Sequence, residues 1–220
     1  MTAPPPLLLA SNSPRRRQLL ALGGWRFAVQ ASNSDESLLP GETPEAYVRR
    51  LAEAKARAVI ERAQPEQIVI GADTSVVIDG EILGKPLDSD DARKMLRRLR
   101  GRAHQVYTGI AALRVRDGRL LTGVCVTDVP MRAYADREIE AYILSGDPLD
   151  KAGAYGIQNP DFQPVAAMQG CYASVMGLPL CHLTVLLRRL DTLAQADVPA
   201  QCQATLHYEC PVFRSILNEE

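Results

Sequence analysis

Short apolar runs alternate along this chain with segments whose apolar residues recur at the helical period. Residues 7–10 and 67–72 are mostly apolar, which is typical of short buried strands. Residues 43–63 repeat apolar positions about every 3.6 residues after a Thr-Pro pair, and this pattern predicts a helix. Asp79-Gly80 predicts a type I′ turn that joins strand residues 76–78 to residues 81–83. Two longer segments, 106–115 and 120–131, flank a second Asp-Gly turn at residues 117–118 and predict an antiparallel ribbon. The chain is therefore predicted to form an α/β domain with a mixed sheet.

Polar residues interrupt the second strand at Asp73 and Thr74, and the strand pattern resumes at Val76. We predict that the buried strand ends on Asp73. An aspartate at the end of an apolar strand is poorly solvated unless something binds it, and ligand sites gather at strand ends in α/β sheets. The alternative is a structural role, in which Asp73 caps a turn through Thr74.

The first helix begins with residues that are suited to bind an anion. Ser13 is a favoured N-cap, and Pro14 is a favoured first helical residue. A helix N-terminus presents free N–H groups and the positive end of the helix dipole. Ser11, Arg15 and Arg16 add hydroxyl and guanidinium donors, so this stretch is a candidate phosphate site. The alternative is a capped surface helix whose arginines are solvated.

Composition narrows the classes of function. The chain has 220 residues, 46% of them hydrophobic, and a formal net charge of -1. Because it lacks a basic field and has only 5% aromatic residues, no nucleic-acid partner is expected. No apolar run approaches the roughly 20 residues of a membrane span, so no membrane partner is expected either. The five cysteines form no CxxC pair and indicate reduced thiols in a cytoplasmic protein.

Further charged residues stand at the junctions between the predicted elements. Lys55 lies at the edge of the apolar stripe of the second helix, whereas Lys85 and Lys151 lie beside glycines in loops. Glu36 lies in a polar loop and adds a second carboxylate to that of Asp73. Several cations with one or two carboxylates are the groups that bind a nucleoside triphosphate and a divalent metal. The sequence contains no P-loop or Rossmann fingerprint, so neither of these motifs explains the site.

An ordered set of short motifs over residues 7–195 resembles the Maf family of nucleoside triphosphate pyrophosphatases, once described as septum formation inhibitors. Each motif is weak by itself, and the specificity comes from finding all of them in this order. The motifs are Ser11–Arg16, Glu53–Ala56, Gly71–Thr74, Gly84–Pro86, Tyr107–Gly109, Asp150–Gln158 and Gly177–Leu180.

The resemblance implies a fold, a reaction and an assembly. The fold is an elongated, twisted mixed β-sheet flanked by helices, which this family shares with inosine triphosphatases. The reaction is hydrolysis of a nucleoside triphosphate between its α- and β-phosphates, with a divalent cation (Mg, Mn or Co) as cofactor. The assembly is a homodimer.

Within the family, the chain is similar to the subgroup that acts on dTTP and UTP, and modified pyrimidine nucleotides are further candidate substrates. The sister subgroup prefers 7-methyl-GTP and carries a bulky aromatic residue where this chain has Arg15. Two alternatives to a dTTP/UTP pyrophosphatase stay open. One is a 7-methyl-GTP pyrophosphatase of the same family, and the other is a nucleotide-binding regulator of cell division that acts by binding a partner.

Roles for individual residues are likewise implied by the resemblance. Asp73 is implied to be the general base. The residues implied to contact phosphates are Ser11, Arg15, Arg16, Lys55 and Lys85. The residues implied to set specificity are Arg15, Thr74 and Gln158. The candidate metal ligands are Glu36 and Asp73.

The end of the chain is the part least like the family. Residues 1–196 are predicted to form the pyrophosphatase domain, and residues 197–220 are predicted to be a C-terminal extension of unknown role.

Two local predictions concern shorter segments. Residues 170–178, which reach into the last family motif, predict a strand and a turn. Earlier in the chain, Ser89 is predicted to cap a helix.

Overall fold

The computed structural model describes residues 6–218, which form a six-stranded sheet flanked by α-helices. Along the sheet the strand order is β2-β1-β3-β5-β6, and β4 also pairs with β3. The strands are β1 Leu7–Leu9, β2 Phe27–Val29, β3 Ile68–Ile78, β4 Glu81–Leu83, β5 Ala103–Arg114 and β6 Leu120–Pro130. The helices are α1 Pro14–Ala21, α2 Pro44–Arg57, α3 Ser89–Leu99, α4 Asp136–Leu144, α5 Tyr172–Val175, α6 Leu180–Arg188, α7 Val198–Leu206 and α8 Phe213–Leu217.

Helices pack on both faces of this sheet. Ile68 and Ile70 of β3 lie in one hydrophobic cluster with leucines of α6. Val69 lies between them in sequence and packs with Ala52 and Ala56 of α2 in a second cluster. β1 pairs in parallel with β2 and β3, whereas the other pairs are antiparallel. The predicted class, a mixed sheet flanked by helices, is confirmed.

The predicted turn and ribbon are also present. Asp79 and Gly80 join β3 to β4 with φ angles of 54° and 77°, the positive values that a type I′ turn requires. β5 and β6 pair antiparallel along nearly their whole length.

β3 continues through the predicted strand end, and this changes the location of the site. Asp73 lies in the middle of β3, opposite Gly109 of β5, so the prediction that the strand ends there is wrong. On its other edge, β3 pairs with β1 only as far as Ile70 and with β4 only from Val76. Residues 71–75 therefore border an opening between β1 and β4. The strand that ends beside this opening is β1.

α2 packs very closely on the sheet because two glycines lie beneath it. A Cβ atom on Gly71 would lie 2.0 Å from the Ala52 carbonyl oxygen, and one on Gly109 would lie 2.2 Å from that of Val48. Only glycine leaves room for this approach. Lys55 belongs to the buried face of this helix, whereas its sequence position predicted only the edge.

α2 also ends earlier than predicted. Its last α-helical bond runs from Ala58 N–H to Ala54 O at 2.9 Å, and a 3-10 turn follows at Ile60–Arg62 instead of further α-helix. The residue that caps α3 is Asp88 rather than Ser89, because Asp88 Oδ1 accepts the Asp91 N–H at 2.8 Å.

The last part of the chain is more helical than predicted. Residues 172–175 form α5, so the predicted strand is wrong; periodicity cannot separate a short apolar strand from a helical turn. Beyond residue 196, α7 and α8 pack against α6, and Val198 and Ile216 are buried. The division at residue 196 stays a sequence-based prediction. Among residues 6–218, no helix combines the length and the apolar character that a membrane crossing requires.

Candidate functional site

A cleft of about 690 Å³ opens where β1 ends beside β3. Its walls are the N-terminus of α1, the middle of β3, the loop between β4 and α3, and the segment 147–160. This volume is within the range of small-molecule sites. The residues to which the family resemblance gave a role all line this cleft: Ser11, Arg15, Arg16, Glu36, Lys55, Asp73, Thr74, Lys85 and Gln158.

The start of α1 forms one wall, with the cap that its sequence predicted. Ser13 has an extended backbone, and its Oγ accepts the Arg16 N–H at 3.4 Å. The Ser13 N–H donates to Oγ of Ser11 at 3.2 Å. These bonds place a serine hydroxyl and the positive end of the helix dipole at the same side of the cleft.

The Arg16 side chain is held by three neutral oxygens. Its Nε donates to the Gly177 carbonyl at 2.9 Å, and its terminal nitrogens donate to Ser11 Oγ at 3.4 Å and to Thr74 Oγ1 at 3.3 Å. A guanidinium group has five N–H donors, so these three bonds leave two donors for a ligand.

No carboxylate neutralises Arg16 directly. Within residues 6–218, no carboxylate oxygen lies within 4.0 Å of its guanidinium nitrogens. Burial lowers the pKa of Arg16, and the negative charge of Asp73 partly opposes this effect. The group nevertheless stays protonated at neutral pH, because arginine is effectively always charged in proteins. A half-buried cation with free donors and no neighbouring carboxylate is suited to hold an anion.

Lys55 joins the two carboxylates of the cleft. Its Nζ lies 2.6 Å from Asp73 Oδ1 and 2.7 Å from Glu36 Oε1. Lys55 and Asp73 are only 8% and 7% exposed, whereas the Glu36 side chain is half exposed. Burial alone would raise the pKa of Glu36, yet hydrogen bonding and charge from Lys55, with the charge of Lys85, hold it below its usual range. Glu36 is therefore ionised at neutral pH.

The cleft contains two carboxylates that are suited to ligate a divalent metal. Glu36 and Asp73 offer carboxylate oxygens that approach a common atom, Lys55 Nζ. In the described part of the chain, no cluster of three or more His, Cys, Asp or Glu is suited to a metal. One or two carboxylates, completed by substrate phosphates and water, are the usual ligands of Mg²⁺. The two residues therefore fit a divalent metal whose remaining ligands are phosphate oxygens and water.

The opposite wall is a segment that is organised by Asp147. Its carboxylate accepts hydrogen bonds from Tyr142 Oη at 2.7 Å, Lys151 Nζ at 2.9 Å and Asn159 Nδ2 at 3.2 Å. Lys151 also lies 2.6 Å from Asp150 Oδ1, so the positive charge of Lys151 is already paired. It is therefore less available to a ligand than its sequence suggested.

Gln158 and Arg15 line the cleft and are open to solvent, Arg15 only in part. Gln158 is exposed on the segment that Asp147 organises. Arg15 is 4.0 Å from Asp150, which is a weak contact between partly exposed groups.

The positioning groups of this wall were not identified from the sequence. The Tyr142 hydroxyl donates to Asp147 and accepts the Gly156 N–H at 2.9 Å, so it connects α4 to the segment that carries Gln158. The only sequence signal of Tyr142 was its place on the apolar face of a helix, and most residues with that signal are simply core residues. Nothing in the spacing of Asp147 indicated that it would accept three side-chain donors.

Comparison with known proteins finds related sequences. A family described as "Maf-like protein" matches residues 6–190. A protein of Anaeromyxobacter dehalogenans named dTTP/UTP pyrophosphatase is 47% identical over 187 residues, covering 84% of this chain and 94% of that protein. A protein of Geotalea uraniireducens with the same name is 48% identical over 194 residues, covering 88% of this chain and 99% of that protein.

Solved structures show a weaker likeness. The Staphylococcus aureus Ham1 protein aligns with a TM-score of 0.41 and 16% identity, covering 58% of this chain and 72% of that one. A likeness at this level carries no conclusion about function.

Proposed function

The chain belongs to the Maf-like protein family, and we propose that it is a nucleoside triphosphate pyrophosphatase that acts on dTTP and UTP. The reaction breaks the anhydride between the α- and β-phosphates and gives a nucleoside monophosphate and pyrophosphate. Relatives that are named for this activity align with the chain over nearly their whole length.

The observation that carries the proposal is the distribution of charge in the cleft. Arg16 is half-buried, has no carboxylate partner within residues 6–218 and keeps two free donors. Lys85 and the first turn of α1 border the same cleft. A triphosphate carries several negative charges on adjacent groups, so these donors suit its phosphates. We assign phosphate contacts to Ser11, Arg15, Arg16, Lys55 and Lys85.

Asp73 is proposed to be the general base. Its Oδ1 is bound to Lys55, and its Oδ2 makes no hydrogen bond to any described residue. This second oxygen is free to take a proton from a water molecule that attacks phosphorus. Catalysis of this kind depends mainly on positioning and charge neutralisation, which the cations of the cleft supply.

A divalent metal ion (Mg, Mn or Co) is proposed as cofactor, with Glu36 and Asp73 as its protein ligands. When bound, it would withdraw negative charge from the phosphates at the bond that breaks. Lys55 lies between the two carboxylates and holds them close together.

Thr74, Arg15 and Gln158 are proposed to select the nucleobase of the substrate. Gln158 lines the cleft and is exposed, and an amide presents one acceptor and two donors. A uracil or thymine ring has donors and acceptors side by side, so a glutamine matches its edge.

The expected setting is a cytoplasmic homodimer that needs neither nucleic acid nor membrane. All five cysteines are free thiols, which is compatible with a reducing compartment. Sedimentation analysis of the purified chain tests the assembly.

The proposed function is tested by measuring pyrophosphate release from a panel of triphosphates. The panel contains dTTP, UTP, modified pyrimidine nucleotides, 7-methyl-GTP and the purine triphosphates, each with Mg, Mn or Co. We expect dTTP and UTP to have the highest kcat/KM. A strong preference for 7-methyl-GTP would overturn the choice of substrate. Nucleotide binding without turnover would favour a regulator instead of an enzyme.

The role of Asp73 is tested with Asp73→Asn in the same assay. Losing a general base should lower kcat by about a thousandfold or more, while nucleotide binding persists. Asp128→Asn is the matched control, because Asp128 is exposed on β6 and bonds to Gln105 outside the cleft. Its activity should equal that of the wild type. An Asp73→Asn variant with undiminished kcat would remove Asp73 from the role of base.

A further inference from the structure

One family motif, Tyr107–Gly109, has a glycine that accommodates α2 but no residue with a role in the cleft. Its central residue, Thr108, is completely buried on β5, opposite Thr74 of β3. It is not among the residues that line the cleft. Any effect of Thr108 on the reaction must therefore pass through its neighbours.

Thr108 is part of a closed ring of hydrogen bonds that contains Arg16. Arg16 donates to the Gly177 carbonyl at 2.9 Å and to Thr74 Oγ1 at 3.3 Å. Thr74 Oγ1 lies 3.0 Å from Thr108 Oγ1, and Thr108 donates to the Ser174 carbonyl at 2.8 Å. The ring starts and ends on one short segment, residues 174–177, which holds it together.

Thr108 determines the direction of the hydrogen bonds in this ring. The Ser174 carbonyl can only accept, so the single hydroxyl proton of Thr108 is used there. Thr108 must then accept from Thr74, and the Thr74 proton points away from Arg16. The Thr74 oxygen is thereby left with its lone pairs available to the Arg16 N–H. This is the orientation that a cation requires.

The ring has little room for other arrangements. A Cβ atom on Gly177 would lie 3.3 Å from both Arg16 Nε and Thr74 Oγ1, and the φ of Gly177 is +109°. The backbone of this segment therefore confines both groups on one side. On the other side, the Thr108 hydroxyl determines whether Thr74 directs its oxygen lone pairs or its proton at Arg16.

We propose that Thr108 is a positioning residue that orients Arg16 through Thr74. The inference rests on the proposed function, in which Arg16 holds a phosphate. Without the Thr108 hydroxyl, the Thr74 proton loses the only acceptor that it has among the described residues and can turn toward Arg16 or the cleft. The first orientation sets the hydroxyl proton against the guanidinium, and the second leaves the Thr74 oxygen without the bond that fixes it, so Arg16 is held less firmly.

The test removes the hydroxyl while keeping the shape of the side chain. Thr108→Val should lower kcat/KM for pyrophosphate release by about tenfold, the effect of losing one hydrogen bond to a charged group. Thr108→Ser keeps the hydroxyl and should retain most of the activity. Thr127→Val is the matched control, because Thr127 is a buried threonine on β6 outside the cleft. Its kcat/KM should match that of the wild type.

A double-mutant cycle separates positioning from simple damage to the fold. If Thr108 acts through Thr74, Thr108→Val should cause no further loss of kcat/KM in a Thr74→Val background. The inference is overturned if the two losses multiply, or if Thr108→Val alone equals the wild type. Melting temperatures establish that each variant is folded. Thr108→Ala replaces the valine variant if the latter does not fold.

Binding measurements distinguish failure of this inference from failure of the proposed function. The affinity for a non-hydrolysable α,β-methylene analogue of UTP is measured for the same variants. A wild-type chain that binds this analogue but releases no pyrophosphate from any triphosphate contradicts the proposed activity alone. A Thr108→Val chain with unchanged affinity and unchanged kcat/KM contradicts the positioning role alone. A wild-type chain that binds no triphosphate analogue contradicts both.

Discussion

The two faces of α2 carry the same kinds of charged residue and border cavities of the same size. The cleft on the sheet side and a concavity on the outer side of α2 each have a volume of about 690 Å³. The outer concavity is lined only by residues of α2 and its cap. The inner cleft is built from six or more separate segments of the chain. Volume alone therefore does not identify the functional site.

The arrangement of charge is what separates the two faces. On the outer face, Arg57 pairs with Glu53 at 2.8 Å and Arg49 with Glu45 at 2.7 Å, one carboxylate for each cation. These are partly exposed pairs one helical turn apart, which contribute little to stability. On the inner face, Lys55 is shared by two carboxylates.

Across the inner cleft from Lys55, Arg16 has no carboxylate within 4.0 Å in the described chain. The outer charges satisfy one another, whereas the inner charges leave donors and acceptors for a ligand. This difference predicts that equivalent substitutions on the two faces will have very different effects.

Of the substitutions that test this contrast, Lys55→Met is expected to have the largest effect. It leaves Asp73 buried and Glu36 nearby without their shared cation, and an uncompensated buried charge costs on the order of 3 kcal/mol. We expect the free energy of unfolding at neutral pH to fall by about this amount, together with a loss of pyrophosphate release. Urea denaturation without nucleotide measures the first effect, and the triphosphate assay measures the second.

Lys94→Met is the control for the Lys55 substitution, because Lys94 is an exposed lysine of α3 outside the cleft. It should behave as the wild type in both measurements. If Lys55→Met is as stable and as active as the wild type, the bridge between the two carboxylates contributes to neither property. The contrast between the faces of α2 then has no energetic basis.

Arg16→Lys is expected to have an intermediate effect. The charge is retained, but an ammonium group cannot bind Gly177, Thr74 and Ser11 and also present two parallel donors to a phosphate. We expect kcat/KM to fall by about ten- to a hundredfold, with little change in thermal stability. Arg17→Lys, at the neighbouring exposed position, should leave both unchanged. Equal activity of both variants would show that charge alone is needed at residue 16.

Much of the fold and of the cleft could be predicted from the sequence, for identifiable reasons. The Asp79-Gly80 turn was predicted because only a few residue pairs adopt two positive φ angles. The start of α1 was predicted because Ser13 and Pro14 favour a cap and a first turn. The residues that line the cleft were found through the family motifs, and their individual roles stay predictions.

The errors that concern the site have a common physical origin in long-range packing. Asp73 and Thr74 are polar, so the local pattern indicated a strand end, but pairing with β5 carries β3 through them. Lys55 was expected at the edge of α2, because a charged residue interrupts an apolar stripe. Gly71 and Gly109 allow the close approach of α2, and their neighbours in space cannot be found from periodicity.

Arg57→Met is expected to have the smallest effect and tests the outer face of α2. Arg57 lies two residues after Lys55 on the same helix, but its side chain is 55% exposed and, among residues 6–218, pairs only with Glu53. Breaking such a pair should change the free energy of unfolding by no more than about 0.5 kcal/mol and should leave pyrophosphate release unchanged. The same denaturation and activity measurements apply. A clear loss of activity or of dimer in this variant would mean that the outer concavity has a function of its own, and the contrast between the two faces would no longer separate a site from a surface.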